Sequence, residues 1–391
     1  MKKKIIFVTQ ALWIGGIETA LVNLLNHLDV EKYELTCLIT EDYQQMAKNI
    51  SAPCRLLVAD RHRTVSFREA YSFARLYDLM EKPQTDSKFR LFIWKILCLL
   101  LRSVEMKLYG RYLKKQLNGE HFDTAVIYSD RVAELTVRSV NADKYQMFYH
   151  NADIGCAYHD RYGYETSEKI VAVSRVQCEK LKKRRPRYAQ KMIAVPNYID
   201  AEAIHAKATQ KPNAPVFSED GIHLVSCGRL APQKGFDLAV EVCARLVQSG
   251  YANLHWYILG MGPDKTYLEQ LAKQLGVSEH FHLLGAKSNP FPYMQAADLY
   301  VQPSRSEGYS LSILEARVLA CPVVATYAAA EEQLVDGLTG TLCDTTVDAL
   351  TNAILKHLQN PELAPRYQQA LSAYSFEDAN RAILDSIEAL L

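Results

Sequence analysis

Residues His223–Gly260 read HLVSCGRLAPQKGFDLAVEVCARLVQSGYANLHWYILG. An apolar run stops at a glycine, a polar loop follows, and helical periodicity then spans Phe236–Gln248 before a second apolar run, LHWYILG. Continuous apolar runs around an amphipathic helix predict two parallel strands covered on both faces. Toward the C-terminus the pattern repeats: a helix over 264–275, the strand HFHLLG, a short helix Asn289–Ala296, a strand Asp298–Gln302, a helix Leu311–Leu319 and a strand Pro322–Thr326. Toward the N-terminus, strands are expected at Ile5–Thr9, Tyr33–Thr40, Thr124–Tyr128, Gln146–His150, Ile170–Val173 and Met192–Val195, with a glycine loop and a helix Ile17–Leu28 after the first. Between the two series lies TQKPNAPVFSED, a polar stretch with two prolines that reads as a linker. The fold class is therefore α/β, with two doubly wound parallel-sheet domains of Rossmann-like type. Their boundaries are 1–208 and 209–375, and a terminal helix, 376–391, is expected to pack back toward the first domain.

A chain of 391 residues is too long for one ordinary core, which agrees with two domains. Its nine cysteines are scattered without a Cys-x-x-Cys pair, so neither a zinc site nor a disulfide framework is suggested. Reduced thiols in a cytoplasmic setting fit best. No apolar stretch is long enough for a spanning helix, and the N-terminal run is too short for a signal peptide. Charge is unevenly shared: residues 1–200 hold 32 Lys and Arg against 23 Asp and Glu, while the remainder hold 13 against 21. The first half is thus expected to face something anionic.

Three stretches carry chemistry. In VSCGRLAPQKG, Arg229 and Lys234 fall at the carboxyl end of a strand beside a helix N-terminus, where free amides and the helix dipole favour anions. A guanidinium fork and a point ammonium suit two phosphates, although solvated cations on a loop would read the same way. ILGMGPD closes the next strand with glycines that permit either a close ligand approach or a tight turn. In SRSEGYSLSILEA, Glu307 lies in a loop at the same sheet edge and Glu315 in the helix that follows, with the amides of Gly308 to Ser312 between them. Carboxylates accept vicinal hydroxyls in pairs, so this pattern suits a sugar at each end of a diphosphate. The plainer alternative is a surface acid and a charge near the helix dipole.

These stretches, in this order, resemble the retaining nucleotide-sugar glycosyltransferases of family 4, which have the GT-B fold. Also collinear with that family are GGIETALVNLL, FYHNAD, KIVAVSR and AVPNYID. The resemblance implies that Arg229 and Lys234 grip the donor diphosphate and stabilise the leaving group. It gives donor-sugar hydroxyls to Glu307, ribose hydroxyls to Glu315, and phosphate or sugar contacts to the amides around Gly308, Leu311 and Ser312. It lets Gly15 and Gly16 approach the diphosphate, sets His150 over the reacting sugar and offers Gly285 and Lys287 to the nucleobase. Asp153 is a weaker neighbour of His150. The chain has no Asp-x-Asp, so no metal and no other cofactor is expected, the cations serving as the metal's charge. The donor is expected to be a UDP-sugar, with hexose or N-acetylhexosamine transferred to a lipid-linked or saccharide acceptor in capsule or exopolysaccharide assembly. A nucleotide-sugar epimerase and a non-catalytic sugar-nucleotide-binding protein are the competing readings.

Residues 88–115 hold eight cations and one acid around an apolar middle, and KLKKRRPR at 180–187 adds six more cations. Both read as contacts for an anionic membrane surface, placing the protein peripherally on the inner face of the plasma membrane. A core helix with a wet cationic face is the alternative for 92–101. No nucleic-acid module accompanies the charges.

Overall fold

The computed structural model describes residues 1–59, 87–150, 161–210, 217 and 221–391. Seven parallel strands form the first sheet: β1 (Lys3–Thr9), β2 (Tyr33–Ile39), β3 (Cys54–Val58), β4 (His121–Ile127), β5 (Asn141–Tyr149), β6 (Lys169–Ala172) and β7 (Met192–Ala194), in the order β3-β2-β1-β4-β5-β6-β7. Six more form the second: β8 (Ile222–Cys227), β9 (Leu254–Leu259), β10 (Phe281–Gly285), β11 (Leu299–Gln302), β12 (Val323–Thr326) and β13 (Thr341–Cys343), ordered β10-β9-β8-β11-β12-β13. The two orders share one plan. In each, the first strand of the domain is central and the chain reverses direction across it, leaving a crevice beyond the carboxyl ends of β1 and β4 and of β8 and β11.

Apolar residues on both faces of these strands meet helices, and the cores follow. Leu224, Trp256, Ile258 and Val301 pack under Phe236 and Val240 of the Phe236–Gln248 helix. On the opposite face, Val225, Tyr257 and Tyr300 meet Ile313, Leu314 and Ala316 of the helix Leu311–Val318. The last helix, Phe376–Glu388, lies on the first sheet: Ile387 and Leu391 are buried with Ile5 and Phe7, and Thr124 Oγ1 donates to the Leu391 carbonyl at 2.9 Å. Asn380 on that helix bonds both the N–H and the carbonyl of Ile199, just before the crossing into the second domain.

Two expectations need correction. His150 is not a strand residue, because β5 ends at Tyr149. Two strands that the apolar pattern does not predict, β3 and β13, both lie at sheet edges. The glycines of ILGMGPD, open to two readings, serve close packing of backbone on backbone. A β-carbon at Gly260 would stand 1.8 Å from the Gly228 carbonyl oxygen, and one at Gly262 2.1 Å from that of Leu230. They let two strand-end loops run in contact, joined by Leu230 N–H to the Met261 carbonyl at 3.0 Å.

Candidate active site

The loops leaving β8 and β11 are laced together beyond the sheet. Arg305 N–H donates to the Gln233 carbonyl at 2.7 Å, and Gln233 Nε2 donates to the Ser306 carbonyl at 2.8 Å. The Arg305 guanidinium forks onto Asp237 at 2.7 and 2.6 Å. Gly235 permits this approach: its φ is +66°, and a β-carbon there would stand 2.1 Å from the Pro303 carbonyl oxygen. The turn Pro232–Lys234 thereby delivers Lys234 to Glu307.

Lys234 Nζ donates to Glu307 Oε1 at 2.6 Å, with side-chain exposures of only 19% and 9%. The same oxygen accepts from Ser304 Oγ at 2.7 Å. Behind it runs a buried polar relay in which Gln302 Nε2 donates to Ser304 Oγ at 2.8 Å and Tyr300 OH to Gln302 Oε1 at 2.6 Å. Ser312 Oγ reaches the same Gln302 oxygen at 3.3 Å. Glu307 is therefore held by a network rather than waving from a loop. Arg229, on the loop that leaves β8, is exposed, and among the described residues no partner engages its guanidinium.

Glu315 completes the set from the helix Leu311–Val318. Burial pushes its carboxyl up to about 8, against a smaller opposing pull from Lys207. The Cys227 thiol, at the end of β8, feels both Glu315 and Lys234, so these two charges share one neighbourhood. Leu311 is buried and Ser312 half-buried. One expectation fails here: within the run of amides expected to face the edge, the Ser310 N–H is taken by Gln333 Oε1 at 2.9 Å.

The first domain meets this site directly. A β-carbon on Gly308 would stand 2.4 Å from the His150 carbonyl oxygen, and one on Gly16 3.8 Å from Leu311 Cδ1. His150 packs its ring 4.6 Å from that of Tyr128, and its buried Nε2 has no hydrogen-bond partner among the described residues. Burial lowers its pKa to about 3, so the imidazole is neutral at physiological pH. Asp153 lies outside the described residues. Sequence reasoning missed Glu18, in the first turn after Gly15-Gly16. It is buried, and burial raises its carboxyl to about 7 despite opposing help from its own N–H, Trp13 and Arg131. Gly15 makes room for it, since a β-carbon there would stand 2.5 Å from Glu18 Oε2.

Known proteins were compared with this arrangement. Structures aligning over the full chain include HepE of Anabaena solved in complex with UDP, with a TM-score of 0.68 at 14% identity, covering 99% of this chain and 100% of that one. The fold is GT-B. Residues 207–373 match the family model described as glycosyl transferases group 1. Among curated proteins, a GDP-mannose-dependent phosphatidylinositol monomannoside mannosyltransferase of Mycolicibacterium smegmatis is 34% identical over 152 residues, 36% of this chain and 40% of that protein. A diphospho-undecaprenol-linked N-acetylgalactosaminyltransferase of Campylobacter jejuni is 34% identical over 130 residues, 33% of each chain. The chain thus spans well under two thirds of the length of the curated relatives it matches.

Within the GT-B frame the remaining candidates lie further out. Gly285 ends β10 in the left-handed region, φ +72°, with open space where a side chain would stand. Lys287 sits 5.8 Å over the Tyr293 ring. The helix Lys88–Gln116 divides along its length. Tyr109 and Leu113 are buried in the first-domain core, whereas Phe89, Phe92, Ile93, Ile96, Leu97, Leu100 and Val104 are exposed. At the described positions Phe92, Ile93, Ile96, Leu97 and Leu100 the helix thus presents apolar side chains to solvent. In the second basic stretch, Arg185 stacks 6.0 Å over Tyr164, Arg187 lies 5.5 Å over Tyr188, and Lys182 pairs with Glu179 at 2.8 Å. Lys180, Lys183, Arg184 and Arg187 are exposed. Among the described residues no helix is long and apolar enough to cross a membrane, and no group of three or more His, Cys, Asp or Glu could hold a metal ion.

Proposed function

We propose that the protein is a retaining glycosyltransferase that takes a hexose or N-acetylhexosamine from a nucleotide diphosphate sugar. The observation that carries this is the insulated Lys234–Glu307 pair at the switch point of the second sheet, with Arg229 exposed on the same loop that carries Lys234. A diphosphate entering the crevice would draw Lys234 and Arg229 onto its oxygens and free Glu307 for sugar hydroxyls. Glu315, one helical turn beyond Ser312, would accept the ribose hydroxyls. Preorganised cations where leaving-group charge develops provide the main electrostatic stabilisation and take the place of a metal. Retention is assigned to front-face attack, in which the departing phosphate accepts the acceptor's proton. His150 needs no charge for this; its neutral Nε2, buried and without a partner among the described residues, would bond a sugar hydroxyl.

UDP is favoured because HepE, of like fold, was solved with UDP. A lipid-linked acceptor in surface polysaccharide synthesis is favoured by the relatives that act on phosphatidylinositol and undecaprenol carriers. It is favoured also by the exposed stripe from Phe89 to Val104, about 22 Å long at 1.5 Å per residue. Lys107, Arg111, Lys114 and Lys115 are exposed and continue that stripe by helical periodicity. An apolar stretch in line with cations suits an anionic leaflet.

The test is release of UDP from UDP-glucose, UDP-galactose and UDP-N-acetylglucosamine by the purified protein. Slow hydrolysis without added metal, lost in Lys234→Ala, is expected. Release that absolutely requires a divalent cation would contradict the metal-free reading, and turnover undiminished by Lys234→Ala would overturn the site.

A further inference from the structure

The helix Arg175–Arg184 of the first domain has an incomplete cap of its own. Ser174 supplies its side chain to the Gln177 N–H at 3.1 Å and its carbonyl to the Cys178 N–H at 2.9 Å. The two remaining N–H groups of the first turn, on Arg175 and Val176, find no acceptor among the described residues of their own domain. They are taken by the two carboxylate oxygens of Glu332, from the second domain, with Arg175 N to Oε2 at 2.8 Å and Val176 N to Oε1. A carboxylate forked onto a helix N-terminus gains from both the orphan donors and the dipole.

The neighbouring side chain points the other way. Gln333 is buried and clamps the backbone of Ser310, accepting from its N–H at 2.9 Å and donating to its carbonyl at 2.8 Å. Ser310 is where the Glu307 loop turns into the helix bearing Glu315. One dipeptide therefore touches the first domain with one residue and the candidate donor segment with the next. Nearby, a β-carbon on Gly308 would stand 3.1 Å from Gln177 Nε2, so the capped helix itself borders the site.

We infer that Glu332 is a positioning residue that clasps the two domains shut, its carboxylate capping the Arg175–Arg184 helix across the cleft while Gln333 ties that closure to Ser310. The clasp rests on the transferase reading for its catalytic consequence, though not for its geometry. Opening the cleft returns the Arg175 and Val176 N–H groups and Glu332 to water. Because Glu332 is exposed, the contact weakens as salt rises.

The experiment compares wild type with Glu332→Ala, Glu332→Gln and Glu332→Asp. Small-angle scattering is recorded at low and high salt with and without UDP, beside UDP affinity and UDP-sugar turnover. Glu332→Ala is expected to enlarge the radius of gyration and lower kcat about tenfold, the loss of a charge-assisted cap, while the Kd for UDP changes less than twofold. Aspartate should restore part of kcat and glutamine less. Wild type should expand with salt and the alanine variant should not. Unchanged scattering in Glu332→Ala overturns the clasp, and an opened profile with unchanged kcat overturns its positioning role. Loss of UDP affinity in step with melting temperature would reduce Glu332 to a folding residue of its own domain, also overturning the inference. If no UDP-sugar turns over even in wild type, the functional reading fails and scattering alone still decides whether the clasp exists.

Discussion

Glu315 gives the proposed donor site a proton linkage that can be measured. In the free protein burial holds its carboxyl at about 8, so near pH 7 about a tenth of the molecules carry it ionised. Ribose hydroxyls donating to it favour the charged form, so the bound state must have a lower pKa than the free one. Binding then selects the ionised fraction, which rises to about nine tenths at pH 9, and the Kd for UDP should fall roughly tenfold between pH 7 and 9. The pyrophosphate contributes little to this slope, because phosphate second ionisations lie near 6. Calorimetry at each pH in two buffers of different ionisation enthalpy should show nearly one proton released per UDP at pH 7 and almost none at pH 9. Glu315→Gln should flatten the affinity profile and abolish the proton release. An affinity independent of pH in this window, or a slope that survives in Glu315→Gln, would refute the assignment of the ribose to this carboxylate.

Glu18 makes a stability prediction of definite sign. Its folded pKa, about 7, exceeds the ordinary carboxyl value of 4.5, so its contribution is fully present below 4.5 and lost as pH rises through 7. Glu18→Gln, neutral at every pH, should therefore gain on the order of 3 kcal/mol over wild type at pH 8 and nothing at pH 4, read from denaturant midpoints. Gly235→Ala should lower stability by roughly 1–3 kcal/mol and displace Lys234, because it combines a positive φ with a β-carbon meeting the Pro303 carbonyl; an unchanged melting temperature would show that the loop yields. Leu100→Glu should reduce co-sedimentation with vesicles containing phosphatidylglycerol while leaving the fold intact, and equal binding by variant and wild type would remove the exposed stripe from the acceptor argument.

What could be read in the sequence tracks what burial forces onto it. IIFV in β1, AVI in β4 and IVA in β6 are covered on both faces, and their unbroken apolar runs made the strands visible. β3 and β13 are edge strands, the first only partly buried and the second three residues long, so neither had to carry such a run. That Lys234 and Glu307 meet was legible because strand-end loops in a doubly wound sheet place side chains at one edge. Glu18 and Glu332 were not. An acid in a first helical turn is ordinary dipole chemistry, and only the packing around Trp13 and Arg131 shows that Glu18 is buried. Glu332 acquires meaning only from a helix 156 positions away in the chain, a separation no local pattern encodes.

The Lys234–Glu307 pair also bears on what the crevice can admit. Each side chain is the other's partner in the resting state, and both are largely shielded from water. Separating such a pair without replacing the lost charge costs several kcal/mol, because an unpaired ion is left where water cannot solvate it. A free monosaccharide brings hydroxyls but no charge, so it cannot relieve Lys234 and should be excluded. A nucleoside diphosphate offers Lys234 and Arg229 a new counter-ion, and only then is Glu307 released, still held by Ser304 and Gln302, to accept hydroxyls from the sugar that arrives with it. Under the proposed reading, donor selection thus begins with the diphosphate, and the sugar is read second. Detectable binding of glucose alone at millimolar concentration, competing with UDP and insensitive to Lys234→Ala, would reverse that order.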